Sequence, residues 1–199
     1  MNRIIRRKSE YKKSIWPGGT TTELLIWPEK ALYEERNFIY RISTATVNLP
    51  TSTFTSLSSY WRELMILDGE IELFHESASR KREVKLSAFE QDSFSGAETT
   101  TSYGQCTDFN LIYTPTYTGS LSLIKPEEKY EIEKGADYFY YSLVEEMQIR
   151  FSDGQTAVLG KGDSLFLQAV DQMTIQPVAN TYSSSDIIAI EAKISNIKR

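Results

Sequence analysis

Phe38-Ile39-Tyr40-Arg41-Ile42-Ser43-Thr44-Ala45-Thr46-Val47 keeps a strict period of two along its length. Side chains of an extended chain point to opposite faces in turn. Phe38, Tyr40 and Ile42 therefore take one face, and Ile39, Arg41, Ser43, Ala45 and Val47 take the other. The stretch is rich in β-branched and aromatic types and predicts a strand. The same pattern continues outward. Thr20–Trp27, Arg62–Leu67, Glu70–His75 and Asp108–Tyr113 read as strands around it. Beyond Pro115, Gly119 and Pro126, so do Tyr138–Val144, Met147–Phe151 and Thr156–Leu159. Short alternating runs separated by turn residues define an all-β chain. Only Glu29–Arg36, a polar stretch after Pro28, predicts a helix.

Two pairs of turn signals imply that the β unit is used twice. Asp68-Gly69 has the composition of a two-residue hairpin and is followed by Asp92-Ser93. Asp153-Gly154 is followed by Asp163-Ser164 in the same way. Each second pair precedes an apolar run, Phe94 in one case and Leu165-Phe166-Leu167 in the other. The first spacing is longer by the polar stretch Glu76–Lys85, which reads as an extended loop or longer hairpin. This arrangement predicts a bicupin: two jelly-roll β-barrel halves, residues 1–118 and residues 119–199, with very little helix.

Charge and composition exclude several function classes. The chain has 199 residues, with 22 basic against 27 acidic and a net charge of -5. A nucleic-acid binder carries a basic excess or a basic stripe, so no nucleic-acid partner is expected. Arg3, Arg6, Arg7, Lys8, Lys12 and Lys13 crowd the N-terminus and read as a solvated edge strand protected by charge. No apolar run reaches the ~20 residues of a membrane-spanning helix, and no apolar region follows the N-terminal charges. The expectation is a cytoplasmic protein with no membrane partner. Cys106 is the lone cysteine, which excludes an internal disulfide.

The single histidine, His75, decides the metal question. A facial transition-metal site needs two or three imidazoles with a carboxylate, so neither metal nor cofactor is expected. A strand-end or surface position is expected for His75. No Gly-x-Ser-x-Gly elbow and no phosphate loop occurs. What stands out instead is charge in phase with apolar residues. Arg41 shares a face with Ala45 and Val47, and Arg62 with Leu64 and Ile66. Glu23 falls in phase with Thr21, Leu25 and Trp27, and Asp108 and Asn110 with Ile112. If those faces line a barrel mouth, two guanidiniums and two carboxylates meet there. Guanidinium forks pair bidentately with carboxylates, so the set suits a small acidic, amide-bearing ligand. The alternative is that Arg41 pairs with Glu23 or Asp108 as an internal ion pair. Trp16 reads either as a rim aromatic or as a stacking wall.

A set of motifs in fixed order resembles the HutD/Ves family. Trp16-Pro17-Gly18-Gly19-Thr20-Thr21-Thr22-Glu23 is similar to its opening motif. Arg41-Ile42-Ser43-Thr44-Ala45, Phe54 with Tyr60-Trp61-Arg62, Phe94-Ser95-Gly96 and Asp108-Phe109-Asn110-Leu111 resemble the motifs that follow. The resemblance implies a bicupin that binds a small acid such as N-formyl-L-glutamate in connection with histidine utilisation, without established catalysis. Ves members are linked to stress responses. The pocket implied by the resemblance consists of Trp16, Gly18, Gly19, Thr20, Thr21, Glu23, Arg41, Ser43, Arg62, Asp108 and Asn110. Thr55, Ser58-Ser59 and Ala97 depart from the family pattern; the first is a conservative change, and the other two bear on the shape of the loops beside that pocket.

Three functions fit these readings. The first is a metal-free, regulatory binder of a small carboxylate-bearing metabolite. The second is a metal-free isomerase or hydrolase on a similar acid, with Glu23 or Asp108 as base and Arg41 or Arg62 stabilising an oxyanion. The third is an interaction module with an inert pocket, whose exposed sheet edges pair into a homodimer.

Overall fold

The computed structural model describes residues 2–168 and 171–197. In chain order the strands are β1 (Asn2–Arg6), β2 (Lys12–Trp16), β3 (Gly19–Trp27), β4 (Tyr40–Val47), β5 (Thr51–Thr53), β6 (Trp61–Glu76), β7 (Lys81–Ser87), β8 (Gln91–Ser95) and β9 (Thr99–Tyr113). They continue as β10 (Tyr117–Ile124), β11 (Tyr130–Ile132), β12 (Asp137–Ser142), β13 (Met147–Phe151), β14 (Thr156–Leu159), β15 (Ser164–Gln168), β16 (Met173–Val178) and β17 (Ala189–Asn196). Among the described residues the helical content is one short 3-10 turn, Lys8–Glu10. The chain divides into two compact units. One spans Lys12–Gly119; the other joins the segment through Tyr11 to the chain from Ser120 onward.

The unit from Lys12 to Gly119 is built on one long antiparallel ladder between β6 and β9. Along one side of the ladder β9 pairs first with β5 and then with β4. Along the other side β6 pairs with β8 and then with β7. The strands β3 and β2 extend the sheet beyond β4. Its interior holds Leu64, Ile66, Ile71, Leu73, Leu86 and Phe94.

Asp68-Gly69 does not turn the chain. The strand β6 runs straight through it, and the register slips between Ile66 and Asp68, so that Leu67 is an extra residue in the ladder. Ile66 and Ile71 both face the interior although their positions differ by an odd number, which would put them on opposite faces of a regular strand. Gly69 sits at a φ of 84°. A Cβ there would lie 2.4 Å from the Gln105 carbonyl oxygen. The turn composition therefore serves a bulge. Asp92-Ser93 lies inside β8; the turn before it is made at Phe89, with a φ of 67° and a Glu90 N–H to Ser87 O bond of 3.0 Å. Asp153-Gly154 is the hairpin its composition predicts, joining β13 to β14.

Glu29–Arg36 forms successive turns, not a helix. Main-chain bonds run from Ala31 to Pro28, from Glu35 to Leu32 and from Arg36 to Tyr33, while the Asn37 side chain accepts from the Leu32 N–H at 2.8 Å. The loop is held by its apolar residues, with Ala31 and Phe38 buried against Leu57 and Tyr60 and with Tyr33 packed on them.

The second unit packs a five-stranded sheet, β1-β15-β12-β17-β10, and a four-stranded sheet, β11-β16-β13-β14, around an apolar core. Leu165 and Leu167 from β15 meet Ile149 from β13, Leu159 from β14 and Ile175 from β16 there. Placing residues 1–118 together is corrected by β1, which pairs with β15 through Ile4 with Phe166 and Ile5 with Leu165. Without β1 the apolar strand β15 would be the edge of this sheet, open to pairing with other chains; β1 covers it, with Arg3 lying over the Phe151 ring and paired to Asp153. Arg7 Nη1 to Asp163 Oδ2 at 2.7 Å and Tyr11 Oη to Ser164 Oγ at 2.7 Å fasten the segment. The next basic residues, Lys12 and Lys13, begin β2, an edge strand of the other unit.

Replacing Gly69 by Ala forces a Cβ against main chain and strains the positive φ. The expected loss is about 1–3 kcal/mol, measurable as a lower urea midpoint. Gly154→Ala adds a Cβ that meets nothing within 4 Å, so it carries only the conformational term of about 1 kcal/mol.

Candidate functional site

The first unit encloses a cavity of about 690 Å³. Its walls come from β2, β3, β4, β5, β6 and β9 and from the loop after β3. Strand pairing explains which side chains reach it. Arg41 lies opposite Ile112, Ser43 opposite Asn110 and Ala45 opposite Asp108 across β4 and β9. Residues opposite one another share a face, so one face of β4 and one face of β9 arrive together. On β6, Arg62 lies opposite Ile112 and brings its guanidinium to the same side.

The strand β3 needs a correction. Thr21 and Glu23 face the cavity, but Leu25 and Trp27 do not share their phase. The register slips between Glu23 and Leu25, after which Ile26 lies opposite Arg41 and lines the cavity. This bulge lets one strand send a carboxylate inward at Glu23 and then bury Leu24 and Leu25 a residue later.

Of the residues expected from the sequence, Trp16, Thr21, Glu23, Arg41, Ser43, Arg62, Asp108 and Asn110 line the cavity; Gly18, Gly19 and Thr20 do not. The glycines act through space. A Cβ on Gly18 would lie 1.8 Å from the Trp16 ring, and one on Gly19 would lie 1.8 Å from the Thr46 carbonyl oxygen. They let Trp16 fold back over the chain, where its indole N–H donates to Thr21 Oγ1 at 3.2 Å. Thr20 pairs with Ile15 and Thr46 within the sheet. Tyr33 and Phe54 also line the cavity and were not expected there. Tyr33 lies in the stretch read as a helix. Phe54 was visible as part of a motif, without a role.

The two arginines are treated differently. Arg41 donates from Nε to Glu23 Oε2 at 2.8 Å and from Nη1 to Ser43 Oγ at 3.2 Å, with its Cζ 4.4 Å from the Tyr33 ring centre. The internal ion pair expected as the alternative reading therefore forms, between Arg41 and Glu23. Arg62 is 6% exposed and forms no ion pair among the described residues. Its Nη2 donates to Asn110 Oδ1 at a long 3.5 Å, and its Cζ lies 4.7 Å from the Phe54 ring and 5.3 Å from the Phe94 ring. Burial pulls its pKa down, to about 10, which leaves it charged at neutral pH.

Asp108 is 3% exposed. Burial pushes its carboxyl up to about 7, against the opposing pulls of the Arg62 charge and a main-chain hydrogen bond from Ala45. Arg62 Nε and Asp108 Oδ1 are both buried without a hydrogen-bond partner among the described residues. An unsatisfied buried polar atom costs about 1–3 kcal/mol. This donor and this acceptor face one cavity, and each calls for an explanation in the chemistry of that space.

The donor set does not suit a metal ion. Glu23 is engaged by Arg41, two guanidiniums face inward, and the imidazole of His75 is elsewhere. His75 is near the end of β6, as expected, but it is buried. Its Nδ1 lies 2.9 Å from Thr100 Oγ1 and its Nε2 lies 3.1 Å from Asp92 Oδ2, while Arg82 holds both oxygens of Asp92 at 2.7 Å. Cys106 is buried; desolvation, with Asp108 nearby, pushes its thiol up to about 12 and makes it unreactive.

The raised Asp108 pKa carries a stability signature. The folded state holds this proton to a higher pH than the unfolded state, so stability is fully present below the unfolded value near 3.8 and falls until the pH passes about 7. Thermal unfolding of Asp108→Asn, followed across that window, is expected to lose this descent, leaving the variant the more stable of the two above neutral pH.

The HutD family model matches residues 8–182. A conserved protein of unknown function from Pseudomonas aeruginosa PAO1 superposes with a TM-score of 0.83 at 19% identity, covering 98% of this chain and 100% of that one. HutD from Pseudomonas fluorescens SBW25 gives 0.75 at 18%, covering 98% and 99%. The oxalate decarboxylase of Lactobacillus farciminis gives 0.66 at 9%, covering 99% and 87%. No curated protein sequence matches the chain. The sheets described above are thus those of a double cupin, and the match over most of the sequence means that the chain belongs to the HutD family.

Proposed function

We propose that this protein binds a small carboxylate-bearing metabolite in the cavity of its first unit, in a regulatory role and without metal. The observation that carries this reading is Arg62: a buried, charged guanidinium with no carboxylate paired to it among the described residues and with Nε open. A buried charge without a counterion is costly, and an anionic guest supplies the missing partner. Arg41 adds little net charge because Glu23 neutralises it. Lys12, Lys13 and Lys30 at the cavity wall outweigh Glu29 and Glu34 there by a single positive charge. Trp16, Phe54 and Tyr33 supply apolar walls. A cavity of about 690 Å³ accommodates an acid of the size of N-formyl-L-glutamate, the compound that the family resemblance points to. The formate complex of the Lactobacillus farciminis oxalate decarboxylase shows a cupin relative holding a carboxylate.

A second reading has one observation in its favour. Asp108 titrates near neutrality, the range in which a general acid or base works best. Glu23 is bound to Arg41 and is the weaker candidate for that role.

Titration calorimetry with N-formyl-L-glutamate, glutamate and glutarate separates these outcomes. The expected result is heat with at least one acid and recovery of that acid unchanged. Arg62→Gln is expected to weaken binding about 10- to 100-fold, the worth of a charge-assisted hydrogen bond. Silence with every acid, from folded protein, would exclude the carboxylate reading. Consumption of the acid, lost in Asp108→Asn, would favour the enzyme.

A further inference from the structure

Asp108 is an unusual wall for a cavity that takes an anion. Its carboxyl is almost fully buried and faces the same space as Arg62. The two do not pair: among the described residues neither takes part in an ion pair, and both keep an open polar atom. The remaining charges around Asp108 are accounted for strand by strand. Glu23 on β3 and Arg41 on β4 neutralise each other. Beside them β4 contributes Ser43 and Ala45, β6 contributes Arg62, and β9 itself contributes Cys106 and Asn110. Lys12 and Lys13 on β2 are exposed, as are Glu29, Lys30 and Glu34 of the loop that also carries Tyr33. With Asp108 ionised, the interior sums to zero and a second carboxylate would sit beside an existing one. With Asp108 neutral, the Arg62 charge is uncompensated and an O–H donor faces the cavity.

We infer that Asp108 couples ligand binding to a proton: the cavity accepts an anionic guest with Asp108 in its neutral acid form, taking one proton from solvent per ligand wherever Asp108 was ionised. This rests on the carboxylate reading proposed above. The proton stays on the Asp108 carboxyl, which donates to an oxygen of the ligand's carboxylate, while Arg62 Nε donates to another acceptor of the ligand. No bond in the ligand breaks. Asp108 thereby sets specificity as well as pH dependence. It selects a guest that offers acceptors on both sides, and it disfavours cations and neutral apolar molecules that could satisfy neither open atom. The burial that raises the Asp108 pKa to about 7 places this coupling in the neutral range.

The test is calorimetry with N-formyl-L-glutamate and with glutarate between about pH 6.5 and about pH 9, where both acids stay ionised. Each titration is repeated in two buffers of different ionisation enthalpy. The expected result for the unaltered protein is an affinity that falls about tenfold per pH unit above the Asp108 titration, with proton uptake approaching one per ligand. Asp108→Asn, which cannot ionise, is expected to bind with an affinity that does not change across this pH range and with no proton uptake. Heat without pH dependence in the unaltered protein overturns the coupling and leaves the carboxylate reading intact. So does an Asp108→Asn variant that keeps the same slope, because the proton then goes elsewhere. No heat from either acid, nor from glutamate, overturns both together. Should the variant fail to fold, the buffer-dependent proton count of the unaltered protein decides alone.

Discussion

The pairing of β6 with β9 is the constraint on which the first unit depends. Each of these strands is far longer than the usual five or six residues, and each serves two partners on its outer side. Every other strand of this sheet is placed by reference to that ladder. The cavity is placed by it as well, because Arg62 lies on one of its strands and Asp108, Asn110 and Ile112 on the other. The slip at Leu67 is what allows so long a ladder to curve while keeping Ile66 and Ile71 on the same face.

The cavity shows how an arginine can be kept buried without a fixed counterion. Arg41 has one, in Glu23, and reads as part of the wall. Arg62 is held instead by ring faces and a long amide contact. Cation–π contacts of this kind offset desolvation only in part. The carboxyl of Asp108, on the adjacent strand, is displaced toward its neutral form by the same burial. The two open atoms therefore share one physical cause, burial beside the same cavity.

Much of this was legible in the residues. The alternation of Phe38–Val47 correctly put Arg41, Ser43, Ala45 and Val47 on the cavity side, and the same logic placed Asp108, Asn110 and Ile112. The HutD resemblance identified the family and with it the double cupin. Periodicity failed where the backbone inserted a residue. The phase of Leu25 and Trp27 was lost at the β3 bulge, and Asp68-Gly69 was read as a hairpin because bulges and turns draw on the same residue types. Tyr33 was out of reach because a loop has no period to read. The path of β1 was hidden for another reason: strand pairing between distant segments leaves no local trace in sequence.

That path has a consequence for how the chain acquires its structure. Arg6 lies opposite Ser164, so β1 finds its partner only after the long intervening stretch of chain has been made. The unit from Lys12 to Gly119 is contiguous and has all its strands available by then. Folding during synthesis is thus ordered, with the cavity-bearing unit complete while the N-terminal segment is still waiting. The late closure spans the whole of the other unit, and its contact order weighs on the rate of the second unit alone. The basic residues of the waiting segment keep it soluble and unattractive to other sheet edges through that interval.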